Sequence, residues 1–166
     1  MDASQDKCSG VIASHSYLWG RSFAKDPKVF KITVGTLNMG TMTGKGREIV
    51  DMMQRRKIKA LCVQETRWKS NKAKILADGY KLLYNSASLE SRNGVAGILH
   101  RELQEEVCEV SRVNDRIIYV KMMFGGEMVT VRMAYAPQVG CSEDEKEKFW
   151  SDLDGVMVII PENEIV

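Results

Sequence analysis

Polar side chains close three separate strand-like segments of this 166-residue chain. They are Asn38, the run Gln64-Glu65-Thr66, and the run Tyr135-Ala136-Pro137-Gln138. A single carboxylate such as Glu65 can hold Mg²⁺, a cation that takes oxygen ligands and keeps much of its own water. We therefore predict that Glu65 holds Mg²⁺, or Mn²⁺ in its place, and that the Asn38 amide beside it donates to a phosphate oxygen or orients the ligand. The residues alone leave open that Glu65 is a solvated carboxylate at a strand exit.

A basic and aromatic run, Arg67-Trp68-Lys69, directly follows the second polar segment. Cations that contact phosphates and an indole that stacks on a base or sugar are typical of nucleic-acid binding. An exposed loop whose tryptophan packs back on the sheet would show the same residues. Both interpretations remain open from this run alone.

The composition indicates one globular unit with no strong overall charge. The chain is 44% hydrophobic and 28% charged, with a formal net charge of +2. Any basic surface must therefore be local. The four cysteines have no paired spacing, and no sustained apolar run suggests a signal peptide or a membrane span. We expect a nuclear or cytoplasmic protein that is not secreted and does not bind membranes.

The order of the segments predicts how the polar residues meet. Residues 1–29 lack helical or strand periodicity and are predicted to be a mobile leader. A strand ending at Asn38, a helix over residues 47–57 and a buried strand over residues 60–63 follow. Such a unit makes its two strands parallel, so Asn38 and Glu65 should emerge at the same edge of the sheet.

Two further elements stand out in the second half of the chain. Gly125-Gly126 joins two strand patterns, residues 116–124 and 127–134, as a tight hairpin requires. Ser142 and Glu145 have capping-box spacing and begin a helix that we predict to run to Pro161. The final residues, 164–166, suggest the start of another strand. His15 and His100 have no neighbouring aspartate in sequence, so neither is a good general base.

The motifs, taken in order, resemble the endonuclease/exonuclease/phosphatase superfamily, whose fold is deoxyribonuclease I-like. Within it, the chain is most similar to craniofacial development protein 2-like and non-LTR retrotransposon endonuclease domains. The motifs that carry the resemblance are Thr36-Leu37-Asn38, Val63-Gln64-Glu65-Thr66-Arg67-Trp68, Ser91-Arg92-Asn93-Gly94-Val95 and Tyr135-Ala136-Pro137-Gln138.

The resemblance implies an α/β (α+β) fold and assigns roles to individual residues. Residues 30–166 would be the N-terminal part of a four-layer α/β/β/α sandwich that stops before its second half. Glu65 would bind the metal, Asn38 would help to place metal and phosphate, and Tyr135 would contact the scissile phosphate. Gln138 stands where many relatives have Asn, and Arg92 and Asn93 match a segment near the substrate cleft.

The resemblance implies a Mg²⁺-dependent phosphodiester hydrolase, with DNA as the expected partner. The superfamily's Asp-x-Asn and Asp/His parts of the site have no match before Val166. Whether this chain is itself an enzyme is therefore open. A catalytically inactive relic or nucleic-acid-binding module, and a phosphatase of the same superfamily, are the alternatives. A second chain that completes the sheet is a further expectation.

Overall fold

A computed structural model describes residues 13–19, 30–67, 72–85 and 93–158. These residues form two β-sheets and three α-helices. The strands are β1 (Ala13–Trp19), β2 (Phe30–Asn38), β3 (Ala60–Gln64), β4 (Lys72–Ile75), β5 (Lys81–Asn85), β6 (Val95–Leu99), β7 (Val107–Asn114), β8 (Ile117–Phe124) and β9 (Glu127–Ala134). The helices are α1 (Gly46–Arg55), α2 (Arg101–Gln104) and α3 (Glu143–Val158).

The larger sheet has the strand order β1-β2-β3-β6-β5-β4. Strands β2 and β3 are parallel, and Asn38 pairs with Gln64 at the end of their ladder. The predicted strand-helix-strand unit is thus confirmed. Its helix, α1, covers one face of the sheet and brings the chain back to the start of β3. Asn38 and Glu65 consequently leave the sheet at one edge.

Strand β1 lies in the segment that the sequence predicts to be a mobile leader. Its residues 13–19 pair antiparallel with β2, from Ala13 opposite Thr36 to Trp19 opposite Phe30. The pattern of residues 13–19 gives little strand signal because an edge strand is held mainly by its main-chain hydrogen bonds to one neighbour. That part of the leader prediction is wrong, while residues 1–12 and 20–29 lie outside the described residues.

The smaller sheet consists of β7, β8 and β9 in antiparallel order. Gly125 and Gly126 connect β8 to β9 with φ angles of 59° and 91°, which glycine adopts without strain. The predicted hairpin is confirmed. Register places Ile117 opposite Ala134 at the other end of this pair, so the chain enters β8 and leaves β9 side by side.

Apolar side chains join the elements into four layers. Ile49, Val50 and Met53 of α1 pack on one face of the larger sheet. Its other face packs against the smaller sheet through a cluster that includes Leu83 and Met122. The outer face of the smaller sheet is covered by α3. The α/β/β/α order that the resemblance implied is therefore present.

Helix α3 begins as predicted. Ser142 Oγ accepts a hydrogen bond from the Glu145 amide at 3.3 Å, and the Ser142 amide donates to Glu145 Oε2 at 3.0 Å. These two bonds form the capping box. Residues 159–161 and the strand suggested over 164–166 lie outside the described residues. None of the helices in the described part of the chain is long and apolar enough to span a membrane.

Candidate metal and phosphate site

Glu65 occupies the first position after β3 in an unusual backbone conformation. Its φ angle is 58°, in the left-handed region that few residues other than glycine adopt. Backbone hydrogen bonds hold the residues on either side: Met39 N donates to Gln64 O at 3.2 Å, and Thr66 N donates to Gly94 O at 3.3 Å. Such conformations persist where the surroundings enforce them, and they cluster at functional sites.

Three side chains donate to the same carboxylate oxygen of Glu65. Asn38 Nδ2, the Tyr135 hydroxyl and Gln138 Nε2 each lie 2.9 Å from Glu65 Oε1. The Gly40 amide donates to Asn38 Oδ1 at 3.1 Å, which fixes the direction of that side-chain amide. The structure thus brings four of the predicted site residues together, because three of them donate to one oxygen atom of the fourth, Glu65.

The second oxygen of Glu65 faces a different environment. Within the ranges that the structure describes, no side chain or amide donates a hydrogen bond to Oε2, and its neighbour is Gly40. A Cβ atom placed on Gly40 would lie 4.0 Å from Oε2, so the glycine backbone passes close to this oxygen. An ionised oxygen that no described donor occupies suits a hard cation that retains water.

The donor set fits Mg²⁺ better than a metal that needs a complete protein cage. Over residues 13–19, 30–67, 72–85 and 93–158, no group of three or more His, Cys, Asp or Glu side chains could hold a metal ion. Mg²⁺ is commonly bound by one or two carboxylates together with substrate phosphates and water. Glu65, with Asn38 beside it, meets that minimum.

Tyr135 lies between Glu65 and Gln138 and remains a neutral phenol. Its hydroxyl donates to Glu65 and accepts from Gln138 Nε2 at 2.8 Å. Burial, the hydrogen bond to Glu65 and the charge of that carboxylate together raise the pKa of Tyr135 to about 12, although the Arg116 charge and the Gln138 hydrogen bond oppose them. The phenol therefore keeps its proton at neutral pH and acts as a donor.

The pKa of Glu65 is lowered below its ordinary value of 4.5, chiefly by the hydrogen bond from Asn38. Partial burial opposes this effect, and the Tyr135 hydroxyl, the Arg67 charge and the Gln138 amide add to it. Glu65 is consequently ionised at neutral pH, as a metal ligand must be.

Acid should remove the stability that ionised Glu65 contributes. Since its pKa is lower in the folded protein than its ordinary value of 4.5, the contribution is present above that value and is lost as the pH falls through the folded-state pKa. We expect the melting temperature of the wild type to fall more steeply below about pH 4.5 than that of Glu65→Gln. Thermal melts across this range test the prediction, and parallel curves would contradict it.

The other predicted site residues do not contact the Glu65 carboxylate in the described part of the chain. Arg67 is exposed, with a φ angle of 54°. Asn93 Nδ2 donates to Asp115 Oδ2 at 2.9 Å and makes no described contact with Glu65. Trp68 and Arg92 lie outside the described residues. His100 follows β6 at the end of the sheet far from Glu65, because β6 runs antiparallel to β3.

Arg116 supports this site but is not among the residues that the sequence predicts for it, whereas Thr66 and Gly94 belong to predicted motifs. Arg116, only 9% exposed, donates from Nη1 to the Tyr135 carbonyl at 3.3 Å. Thr66 is 1% exposed and packs against Gly94, which has a φ angle of 132°. An arginine at the start of a strand pattern, as Arg116 is, was the available signal. The Gly94 motif was noted only through the family resemblance.

The layers and their connections are those of the deoxyribonuclease I-like fold. The AP endonuclease from Archaeoglobus fulgidus superposes with a TM-score of 0.56 at 23% sequence identity, over 78% of this chain and 52% of that chain. This likeness shows a shared fold. The predicted fold class is thereby confirmed.

Sequence comparison finds craniofacial development protein 2. The chain is 28% identical over 134 residues to the protein of Bos taurus and 27% identical over 134 residues to that of Tragulus javanicus. Each alignment covers 80% of this chain but 22% and 23% of the two relatives, so the chain spans about a fifth of their length. No protein-family model matches the chain. The predicted resemblance to craniofacial development protein 2 is confirmed, and that to the endonuclease/exonuclease/phosphatase superfamily is confirmed for the fold, while the resemblance to retrotransposon endonucleases stays a prediction.

Proposed function

We propose that this chain forms the metal- and phosphate-binding part of a Mg²⁺-dependent phosphodiester hydrolase that cleaves DNA. The observation that carries the proposal is the arrangement at Glu65. Three donors occupy one oxygen of an ionised carboxylate, and no group in the described part of the chain donates to the other oxygen. That geometry holds a carboxylate in a fixed direction for a ligand outside the protein.

Glu65 and Asn38 would hold the Mg²⁺ ion in this proposal. Bound Mg²⁺ supplies neutralisation of phosphate charge and polarises a phosphoryl oxygen. The Tyr135 hydroxyl donates its single proton to Glu65, and the Gln138 amide donates to both Glu65 and Tyr135, so contact of either group with a phosphate would replace one of these hydrogen bonds. Exposed Arg67 adds a positive charge next to Glu65, and cations close to a phosphate site favour a nucleic-acid backbone.

A second candidate function is nucleic-acid binding without turnover. His100 is the one histidine whose side chain the structure describes, and it lies at the opposite end of the sheet from Glu65. Phosphodiester hydrolysis needs a positioned nucleophile in addition to charge neutralisation. If no such group joins Glu65, the site would bind phosphate and leave it intact.

Plasmid nicking separates these candidates and tests Tyr135. The whole chain with Mg²⁺ should convert supercoiled plasmid to the open circle, and EDTA should stop the reaction. Tyr135→Phe keeps the ring but removes the hydroxyl that donates to Glu65, and should slow nicking by about 10–100-fold, as loss of a partner of a metal ligand commonly does.

The other outcomes of the nicking assay are equally informative. DNA retained in a gel-shift assay without Mg²⁺, with no nicking over hours, would favour the binding module. Release of phosphate from small phosphate esters with no action on plasmid would favour a phosphatase. Equal nicking by the wild type and Tyr135→Phe would contradict the role given to the phenol. The matched control is Tyr119→Phe. In the wild type the Tyr119 hydroxyl donates to Glu109 at 3.1 Å on the smaller sheet, away from Glu65.

A further inference from the structure

Arg116 is a buried arginine in the turn that precedes β8. Its main-chain amide donates to Asn114 Oδ1 at 2.8 Å, and its carbonyl accepts from the Tyr135 amide at 2.8 Å. The side chain is only 9% exposed. A buried guanidinium is costly unless its donors find partners, so its contacts indicate what it stabilises.

The guanidinium of Arg116 contacts both ends of one loop. Nη1 donates to the Tyr135 carbonyl at 3.3 Å, and the guanidinium carbon lies 5.2 Å from the centre of the Tyr135 ring. Nη2 lies 3.8 Å from Cys141 Sγ at the other end. The Cys141 amide donates to the Gln138 carbonyl at 3.0 Å and closes the loop between them.

This loop carries two of the three groups that hold Glu65. The Tyr135 hydroxyl and Gln138 Nε2 each reach Glu65 Oε1 at 2.9 Å, and Arg116 contacts residues at both ends of the loop that carries them. The planar fork of arginine can bond a carbonyl and stack on a ring at the same time. A lysine would keep the charge and lose that combination.

We propose that Arg116 is a positioning residue, whose guanidinium holds the loop from Tyr135 to Cys141 in the shape that brings the Tyr135 hydroxyl and the Gln138 amide to Glu65. Arg116 acts through these two residues and does not itself touch Glu65 in the described contacts. The effect on metal binding rests on the proposed function above. The effect on the position of Gln138 does not.

The test uses Arg116→Lys in the whole chain and two measurements. The side-chain amide resonance of Gln138, assigned by its loss in Gln138→Ala, should move toward the position of a solvated glutamine amide. Protection of the Tyr135 main-chain amide from hydrogen exchange should persist, since its bond goes to the Arg116 carbonyl, which every variant keeps. Mn²⁺ affinity measured by calorimetry should fall by about 10–100-fold.

Arg112→Lys is the matched control. Arg112 also donates to main-chain carbonyls, those of Tyr84 at 3.3 Å and Lys72 at 3.4 Å, but these lie on the larger sheet away from Tyr135. The Arg112→Lys substitution should therefore leave the Gln138 side-chain resonance and the Mn²⁺ affinity unchanged. A Gln138 resonance that stays in place in folded Arg116→Lys would overturn the inference, as would an equal shift in Arg112→Lys.

A second variant covers the case in which Arg116→Lys does not fold. Cys141→Ala removes one of the two loop ends that the guanidinium contacts, and should shift the Gln138 resonance in the same direction by a smaller amount. An unshifted resonance would overturn the inference. Absence of Mn²⁺ binding in the wild type would refute the proposed function alone, because the resonance measurement needs no metal.

Discussion

Glu65→Gln should weaken Mn²⁺ binding by more than about 100-fold. Loss of a partner of a metal ligand typically costs 10–100-fold, and loss of the charged ligand itself should cost more. The substitution keeps the size of the side chain, and the amide oxygen can still accept from Asn38 and Tyr135. The fold should therefore survive, and the loss can be assigned to the missing charge. Calorimetric titration of both proteins with Mn²⁺ measures it.

The control for this substitution is Glu147→Gln. Glu147 is an exposed carboxylate on α3, on the far side of the smaller sheet, and its removal should leave Mn²⁺ affinity unchanged. Wild-type affinity in Glu65→Gln would place the ion elsewhere and contradict the site. Equal losses in both variants would indicate that the titration reports overall charge.

Gly94→Ala should destabilise the protein by about 3 kcal/mol and displace Glu65. A Cβ at this position would lie 2.4 Å from Thr66 Oγ1, and Thr66 is 1% exposed, so its hydroxyl has little room to move. The φ angle of 132° adds backbone strain for any residue with a Cβ. Backbone strain and overpacking each cost about 1–3 kcal/mol. Denaturant unfolding measures the change in the free energy of unfolding.

Gly126→Ala separates the two causes. Gly126 has a φ angle of 91° and no atom within 4 Å of its added Cβ, so this variant should show the backbone cost alone. Thr66→Ala combined with Gly94→Ala should recover the part that comes from crowding. If Gly94→Ala and Gly126→Ala lower the free energy of unfolding by the same amount, crowding between the new Cβ and Thr66 contributes nothing to the loss of stability.

The part of the site that sequence predicts is the part built by neighbouring segments. Asn38 ends β2 and Glu65 follows β3, and the single helix between these strands makes them parallel, so their common edge can be inferred from local patterns. The Gly125-Gly126 hairpin and the Ser142 cap were equally local. Short-range rules of conformation decide each of these features.

The rest of the site depends on how the two sheets pack. Tyr135 lies 70 residues from Glu65 in sequence, and the two meet only because the smaller sheet stacks on the larger one. Periodicity in each strand does not encode that stacking, so the sequence marks Tyr135 as a polar residue at a strand end but does not predict its hydrogen bond to Glu65. Arg116 was missed for the same reason, since its partners are Tyr135 and a loop end at Cys141. Strand β1 was missed because an edge strand needs little apolar patterning.

Anomalous diffraction from crystals of the whole chain soaked in Mn²⁺ tests the central claim most directly. We expect one strong peak beside Glu65 Oε2, with Oε1 still bound by Asn38, Tyr135 and Gln138. A fully occupied peak elsewhere, or none at this carboxylate at saturating Mn²⁺, would contradict it.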